Sequence, residues 1–164
     1  MDPSAGRSGR QATEARGPVA LGVLMQPNES RRVRRVLVVD DELEFAILMN
    51  DVLATLPEPL NVEIAGNGRD AVEAVRRAAP DLVMLDVNMP VMNGLDALRH
   101  IRELDPKLPV VLVTATDCHS IAEGLLVGVF GYLPKPIDLR YVAHLVDLAL
   151  SSRAGDTTAP GGRR

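Results

Sequence analysis

The stretch that decides the fold is LVMLDVNMPVMNG, residues 82–94. Four consecutive apolar residues followed by Asp86 indicate a strand that is buried on both faces and ends in an acid. Four apolar residues likewise precede Asp40 in VLVVDDE, residues 36–42, and precede Thr114 in VVLVTA, residues 110–115. Strands of this kind lie inside parallel sheets that carry helices on both faces, so the pattern predicts an α/β fold.

Helical patterns fill the intervals between these strands. We expect strands at residues 36–39, 62–65, 82–85, 110–113 and 130–133, and helices at residues 42–56, 68–79, 94–104, 120–127 and 138–150. In the first helix the expected inward residues are Phe45, Leu48, Met49, Val52 and Leu56. Strict alternation with short connections predicts a doubly wound parallel sheet.

The two ends of the chain differ in composition from the middle. We expect a disordered tail at residues 1–33, one folded domain at residues 34–150 and a second tail at residues 151–164. Met25 is an alternative start, which would leave residues 1–24 untranslated. A further alternative is that the chain is one piece of a longer protein.

Composition excludes several classes of protein. Of the 164 residues, 46% are apolar, which is enough for a core, and a single cysteine excludes an intramolecular disulfide framework. No apolar run reaches the roughly 18–20 residues that cross a bilayer, so no membrane partner is expected. The N-terminal region lacks the apolar segment of a secretory signal, and we expect a cytoplasmic protein.

The charges are distributed unevenly along the chain. Residues 1–35 carry seven Arg against three acids, whereas residues 36–150 carry eight basic and eighteen acidic residues. An acidic domain is a poor nucleic-acid binder, because phosphate contacts need clustered Lys and Arg, and we expect no direct DNA binding. The Arg cluster at residues 31–35 is an alternative phosphate contact that we interpret as a solvated charge run.

Reactive side chains follow four of the five expected strands. Because parallel strands place their carboxyl ends at one edge of the sheet, these side chains should converge there. They are Asp40, Asp41, Asp86, Thr114 and Lys135. Three converging carboxylates repel one another unless a cation lies between them, and Mg²⁺ suits such oxygen ligands.

This set of residues fits phosphoryl transfer. A carboxylate is a nucleophile toward phosphorus, and a metal ion and a lysine would neutralise the transferred charge. Thr114 can donate to a phosphoryl oxygen, and the small Ala115 beside it leaves space. Each residue alone has a plainer explanation, such as helix-dipole or turn chemistry. Their joint occurrence at the ends of the right strands favours a site.

These residues resemble a known family, the receiver domain of bacterial two-component response regulators. The resemblance covers about residues 34–150, and its motifs occur in order: VLVV-Asp40-Asp41-Glu42, DLVML-Asp86-V-Asn88-MPVMNG, V-Thr114-Ala115 and G-Tyr132-LP-Lys135-Pro136. The resemblance implies a flavodoxin-like (βα)₅ fold with strand order 2-1-3-4-5 and a cis Lys135–Pro136 bond. Two departures, Val129-Phe130 before Gly131 and the added Pro134, concern partner choice.

The resemblance also implies roles for the residues. Asp86 would be the phosphoacceptor, and Thr114, Ala115 and Lys135 would receive the phosphoryl group. Asp41, Asp86 and the backbone carbonyl of Asn88 would bind Mg²⁺ directly, and Asp40 would bind it through water. Thr114 and Tyr132 would form the switch.

The expected function is a phosphorylation-dependent switch without enzymatic activity of its own. The implied partners are a sensor histidine kinase or a histidine phosphotransfer protein, a downstream effector protein, and a second copy in a possible homodimer. Output would pass through the surface of helix 4, strand 5 and helix 5. Two alternatives are a Mg²⁺-dependent aspartate-nucleophile phosphatase, which needs an acid where Asn88 stands, and a phosphate-independent pseudo-receiver.

Overall fold

The computed structural model describes residues 32–115 and 118–154. Five strands alternate with five helices, as the sequence pattern predicts. The elements are β1 (Arg34–Val39), α1 (Leu43–Ala54), β2 (Leu60–Ala65), α2 (Gly68–Arg77), β3 (Leu82–Asp86), α3 (Gly94–Leu104), β4 (Val110–Ala115), α4 (Cys118–Val127), β5 (Gly131–Lys135) and α5 (Leu139–Ala154).

The strands form one parallel sheet in the order β2-β1-β3-β4-β5. This confirms the predicted fold and the strand order that the resemblance implied. β3 lies at the centre, and all five of its residues are buried because helices cover both faces. Val83 and Leu85 pack with α2 and α3, whereas Leu82 and Met84 pack with α1 and α5.

The inward face of α1 differs from the predicted one at Leu48. Ala46, Met49 and Leu53 are buried at helical spacing, whereas Leu48, which we expected to point inward, is exposed over 47% of its surface. Leu48 lies one position before Met49, and adjacent residues on a helix point in different directions. The other predicted residues, Phe45, Val52 and Leu56, pack against the same cluster as Met49.

The last helix extends beyond its predicted end. Asp138 precedes it and accepts a hydrogen bond from the Arg140 backbone at 3.0 Å, which is the expected N-cap geometry. α5 continues to Ala154, because Arg153 pairs with Asp105 at 2.8 Å. Of the two predicted tails, residues 1–31 and 155–164 lie outside the described residues. Arg32, in the predicted N-terminal tail, is described and pairs with Asp81. No helix in the described part of the chain is long and apolar enough to cross a bilayer.

The loop between β3 and α3 is tightly folded. Val91 has a φ of 70°, and the Met92 backbone donates to the Pro90 carbonyl at 2.8 Å, which closes a γ-turn. Asn93 caps α3 by accepting a hydrogen bond from the Asp96 backbone at 2.8 Å. The Gly94 backbone donates to Val87 at 2.9 Å and ties the start of α3 to the end of β3.

Candidate functional site

Two buried carboxylates lie side by side at the carboxyl edge of the sheet. Val39 of β1 pairs with Leu85 of β3, so the residues that follow them, Asp40 and Asp86, are neighbours. Only 2% of Asp40 and 4% of Asp86 is exposed. Burying two like charges is costly without a compensating cation.

Lys135 supplies that cation from β5. Its ammonium lies 3.0 Å from Asp40 Oδ2 and 2.9 Å from Asp86 Oδ1. The other carboxylate oxygens accept backbone hydrogen bonds, Asp40 Oδ1 from Glu42 at 2.8 Å and Asp86 Oδ2 from Asn88 at 2.7 Å. The Lys135–Pro136 peptide bond is cis, as the resemblance implied. The contacts of Lys135 join the end of β5 to the ends of β1 and β3.

The electrostatics of the cluster are governed by burial. Burial raises the pKa of Asp86, the charge of Asp40 adds to the rise, and together they outweigh the lowering by Lys135. Burial alone would lower the pKa of Lys135, but its hydrogen bonds and ion pairs with Asp86 and Asp40 raise it above the usual value. Lys135 is therefore protonated at neutral pH.

The other predicted site residues surround this cluster. Asp41 and Asn88 are exposed at its rim, and so is Ala115, which lies beside Lys135 in the sheet register. Thr114 is buried, and its hydroxyl donates to the Ala115 carbonyl at 3.0 Å, so it must turn to reach a group on Asp86. Tyr132 is half-buried, and its hydroxyl donates to the Ile121 carbonyl in α4.

The donor set has the chemistry that Mg²⁺ requires. Mg²⁺ usually takes one or two carboxylates together with water and phosphate oxygens, and Asp40 and Asp86 are buried carboxylates that share a single ammonium. Within the described residues no three acids, histidines or cysteines are arranged as a ready ligand cluster. The site thus has two buried carboxylate ligands for a divalent cation, and the third predicted acid, Asp41, is exposed.

Two contributions to the site were missed by sequence reasoning. Phe45, which we placed in the core, also presents its ring to Lys135, 4.4 Å from the ring centroid to Nζ. The only sequence signal for this contact is that Phe45 lies in the helical turn after the acidic residues 40–42. Gly94 belongs to the motif that follows β3, but no sequence pattern indicates that a Cβ at this position would lie 2.1 Å from the Asp86 carbonyl oxygen.

The chain is similar to known proteins over most of its length. Residues 36–147 match the family described as response regulator receiver domain. The probable transcriptional regulatory protein TcrX of Mycobacterium tuberculosis is 42% identical over 77% of this chain and 53% of its own length. A protein-glutamate methylesterase/protein-glutamine glutaminase of Desulfotalea psychrophila is 36% identical over 71% of this chain and 33% of its own. The chain spans about half or less of these relatives.

A solved structure agrees with the sequence relatives. The chemotaxis protein CheY4 of Vibrio cholerae superposes with a TM-score of 0.66 at 28% identity, covering 71% of this chain and 98% of its own. The whole of that protein thus corresponds to the sheet and helices described above.

Proposed function

The chain belongs to the response regulator receiver domain family of two-component systems, and we propose that it is a switch phosphorylated on Asp86. The observation that carries the proposal is the ammonium of Lys135 within 3.0 Å of both buried carboxylates. A cation held at that point is preorganised for the charge of an incoming phosphoryl group. Thr114 lies next to Lys135's strand and has a hydroxyl that can turn toward the same group.

The proposed reaction is a transfer between side chains. One oxygen of the Asp86 carboxylate attacks the phosphorus of a phosphohistidine on a sensor kinase or phosphotransfer protein. The new P–O bond forms as the P–N bond breaks, and the imidazole leaves with a proton from solvent. Lys135 stabilises the charge on the transferred oxygens. Mg²⁺, when bound, would neutralise the remaining phosphoryl charge. The ion would be held directly by Asp41, Asp86 and the Asn88 carbonyl, and through water by Asp40.

The proposed output surface consists of α4, β5 and α5. Large apolar side chains are exposed along it, and the most exposed is Leu126 at 89%. The others are Leu125, Phe130, Leu139, Tyr141 and Leu148. Such a surface suits a downstream effector protein or a second copy of the chain. Cytoplasmic location and the absence of a separate enzymatic activity are part of this proposal.

The two alternatives receive less support from the site. An aspartate-nucleophile phosphatase needs a proton donor at position 88, where an exposed Asn stands. A pseudo-receiver has no need of a lysine bound to two buried acids, yet this chain has one.

Mass spectrometry after incubation with acetyl phosphate and Mg²⁺ tests the proposal. The wild type should gain the mass of one phosphoryl group, and Asp86→Asn should gain none. Asp51→Asn is a matched control, because Asp51 is an exposed acid on α1, and it should behave as the wild type. A wild type that acquires no phosphoryl group would overturn the proposal in favour of the pseudo-receiver.

A further inference from the structure

Phe45 contacts the one cation of the site. It lies in the first turn of α1, half-buried, with its ring packed against the apolar layer between α1 and the sheet. The centroid of the ring is 4.4 Å from Nζ of Lys135. Among the described residues, the ammonium therefore contacts two carboxylates and one aromatic face. We propose that Phe45 is a positioning residue that holds Lys135 against Asp86.

The physical case rests on the flexibility of lysine. The Lys135 side chain has a flexible four-carbon stem and is 24% exposed, so solvent competes for its ammonium. A cation over an aromatic face is attracted to the electron density of the ring. The ring of Phe45 has few rotatable bonds and is fixed by packing. It therefore disfavours side-chain conformations of Lys135 in which the ammonium no longer contacts the carboxylates.

The consequence for the reaction rests on the proposed function. If Asp86 accepts a phosphoryl group, the ammonium must already stand where negative charge develops, since preorganised charges stabilise the transition state most. Removing the ring leaves Lys135 and both acids in place but lets the ammonium spend more time in solvent. The expected loss of phosphorylation rate is roughly two- to five-fold, the size of one partly exposed cation–π contact.

A spectroscopic experiment tests the contact without reference to phosphorylation. The chain has only two lysines, Lys107 and Lys135, so their side-chain NMR signals are easily assigned. Protons above an aromatic face shift upfield, and we expect this shift for the ε-methylene of Lys135 in wild type and Phe45→Tyr. It should be lost in Phe45→Leu, while Lys107 is unchanged. A Lys135 signal that is the same in wild type and Phe45→Leu would overturn the inference.

A kinetic experiment tests the role. With acetyl phosphate and Mg²⁺, Phe45→Leu should be phosphorylated two- to five-fold more slowly, and Phe45→Tyr should recover the rate. The control Leu48→Ala truncates an exposed apolar side chain on the same helix and should leave the rate unchanged. In a Lys135→Met background Phe45→Leu should cause no further loss, because the ring acts through Lys135. An equal loss in that background would reduce Phe45 to a structural residue.

The two experiments separate this inference from the function on which it rests. A ring-current shift in a protein that acquires no phosphoryl group would leave the contact standing and overturn the phosphoacceptor role. Normal phosphorylation of Phe45→Leu would overturn the positioning role alone.

Discussion

At the scale of single residues, Gly94 shows how closely the backbone approaches the site. A Cβ at this position would lie 2.1 Å from the Asp86 carbonyl oxygen and 2.9 Å from Cα of Val87. Neither atom belongs to a flexible side chain, so Gly94→Ala should displace the loop and lower the free energy of unfolding by about 1–3 kcal/mol.

Urea denaturation of a matched pair checks this expectation. At Gly66 an added Cβ meets nothing within 4 Å, so Gly66→Ala should change the free energy of unfolding by less than about 0.5 kcal/mol. If Gly94→Ala were as stable as Gly66→Ala, the loop would be softer than this packing indicates.

The negative charge of Asp86 should lower the free energy of unfolding. Burial raises its pKa above the usual value and the charge of Asp40 adds to the rise. Since the folded state holds the Asp86 proton more tightly than the unfolded state, stability falls as the pH rises through the folded-state pKa. In metal-free buffer at pH 7, Asp86→Asn should therefore raise the free energy of unfolding.

Urea titrations of wild type and Asp86→Asn at two pH values measure this effect. The gain should shrink as the pH is lowered to values at which the wild-type carboxyl is already protonated. A destabilised Asp86→Asn at pH 7 would mean that the pair with Lys135 outweighs the cost of burial.

At the scale of elements, α4 packs closely against β5 at Gly124, a residue without a side chain. The Tyr132 hydroxyl donates to the Ile121 carbonyl, and a Cβ at Gly124 would lie 2.8 Å from that hydroxyl. The same Cβ would lie 2.7 Å from Leu112 Cδ1. Gly124→Ala should therefore push the Tyr132 ring out of its place, at a cost of about 1–2 kcal/mol after allowance for the better helix propensity of alanine.

A double-mutant cycle with Tyr132→Phe isolates this contact. Gly124→Ala should cost less when the hydroxyl is gone, because Leu112 alone then opposes the methyl group. The chain has two tyrosines and no tryptophan, so tyrosine fluorescence in a Tyr141→Phe background reports the exposure of Tyr132 directly. Equal costs in the two backgrounds would show that the ring is not the obstacle.

The last turn of α5 is held by one ion pair. Arg153 and Asp105 are 2.8 Å apart, and each side chain is 24% exposed. Burial would raise the pKa of Asp105, but its hydrogen bonds, that from Arg153 foremost, lower it below the usual value. A depressed pKa contributes stability above the unfolded-state value near 3.8, and this contribution is lost as the pH falls through the folded-state pKa.

Arg153→Gln should accordingly cost about 0.5–1 kcal/mol at pH 7, and this cost should shrink as the pH falls and Asp105 becomes protonated. Chemical denaturation at pH 7 and at successively lower pH measures the difference, with Arg69→Gln, an exposed arginine near the start of α2, as the control. A cost that persists at low pH would assign the effect to the aliphatic part of the Arg153 side chain.

At the scale of the whole molecule, the sheet and the site edge could be predicted because their signals are local. A strand buried on both faces is a continuous apolar run, and its last residue is fixed by the acid that follows. The exposure of Leu48 could not be predicted, since Leu48 is as apolar as the buried Met49 beside it and only packing against the sheet distinguishes the two. The contact of Phe45 with Lys135 joins α1 to β5, and no pattern within either segment reports it.

Phosphorylation should perturb one side of the molecule and spare the other. A phosphoryl group on Asp86 changes the partner of Lys135 in β5 and draws the hydroxyl of Thr114 in β4. These strands are paired, with Thr114 beside Pro134, so the change enters both and passes to α4 through Tyr132. β2 pairs with β1 alone in the described sheet, and it meets the site through the Asp40 backbone, which donates to the Ala65 carbonyl at 3.1 Å. Since neither Asp86 nor Lys135 lies in β1 or β2, residues 60–65 should change less than β4 and β5.

Amide NMR with acetyl phosphate and Mg²⁺ distinguishes these two sides. Chemical-shift changes should extend from Asp86 across residues 115–145 and be small at residues 60–65, and Asp86→Asn under the same conditions should show only the effects of the metal. Shifts confined to the immediate surroundings of Asp86 would mean that phosphorylation does not reach the surface of α4, β5 and α5. In that event the exposed apolar side chains there would need another explanation than output, because a switch must change the face that its partner reads.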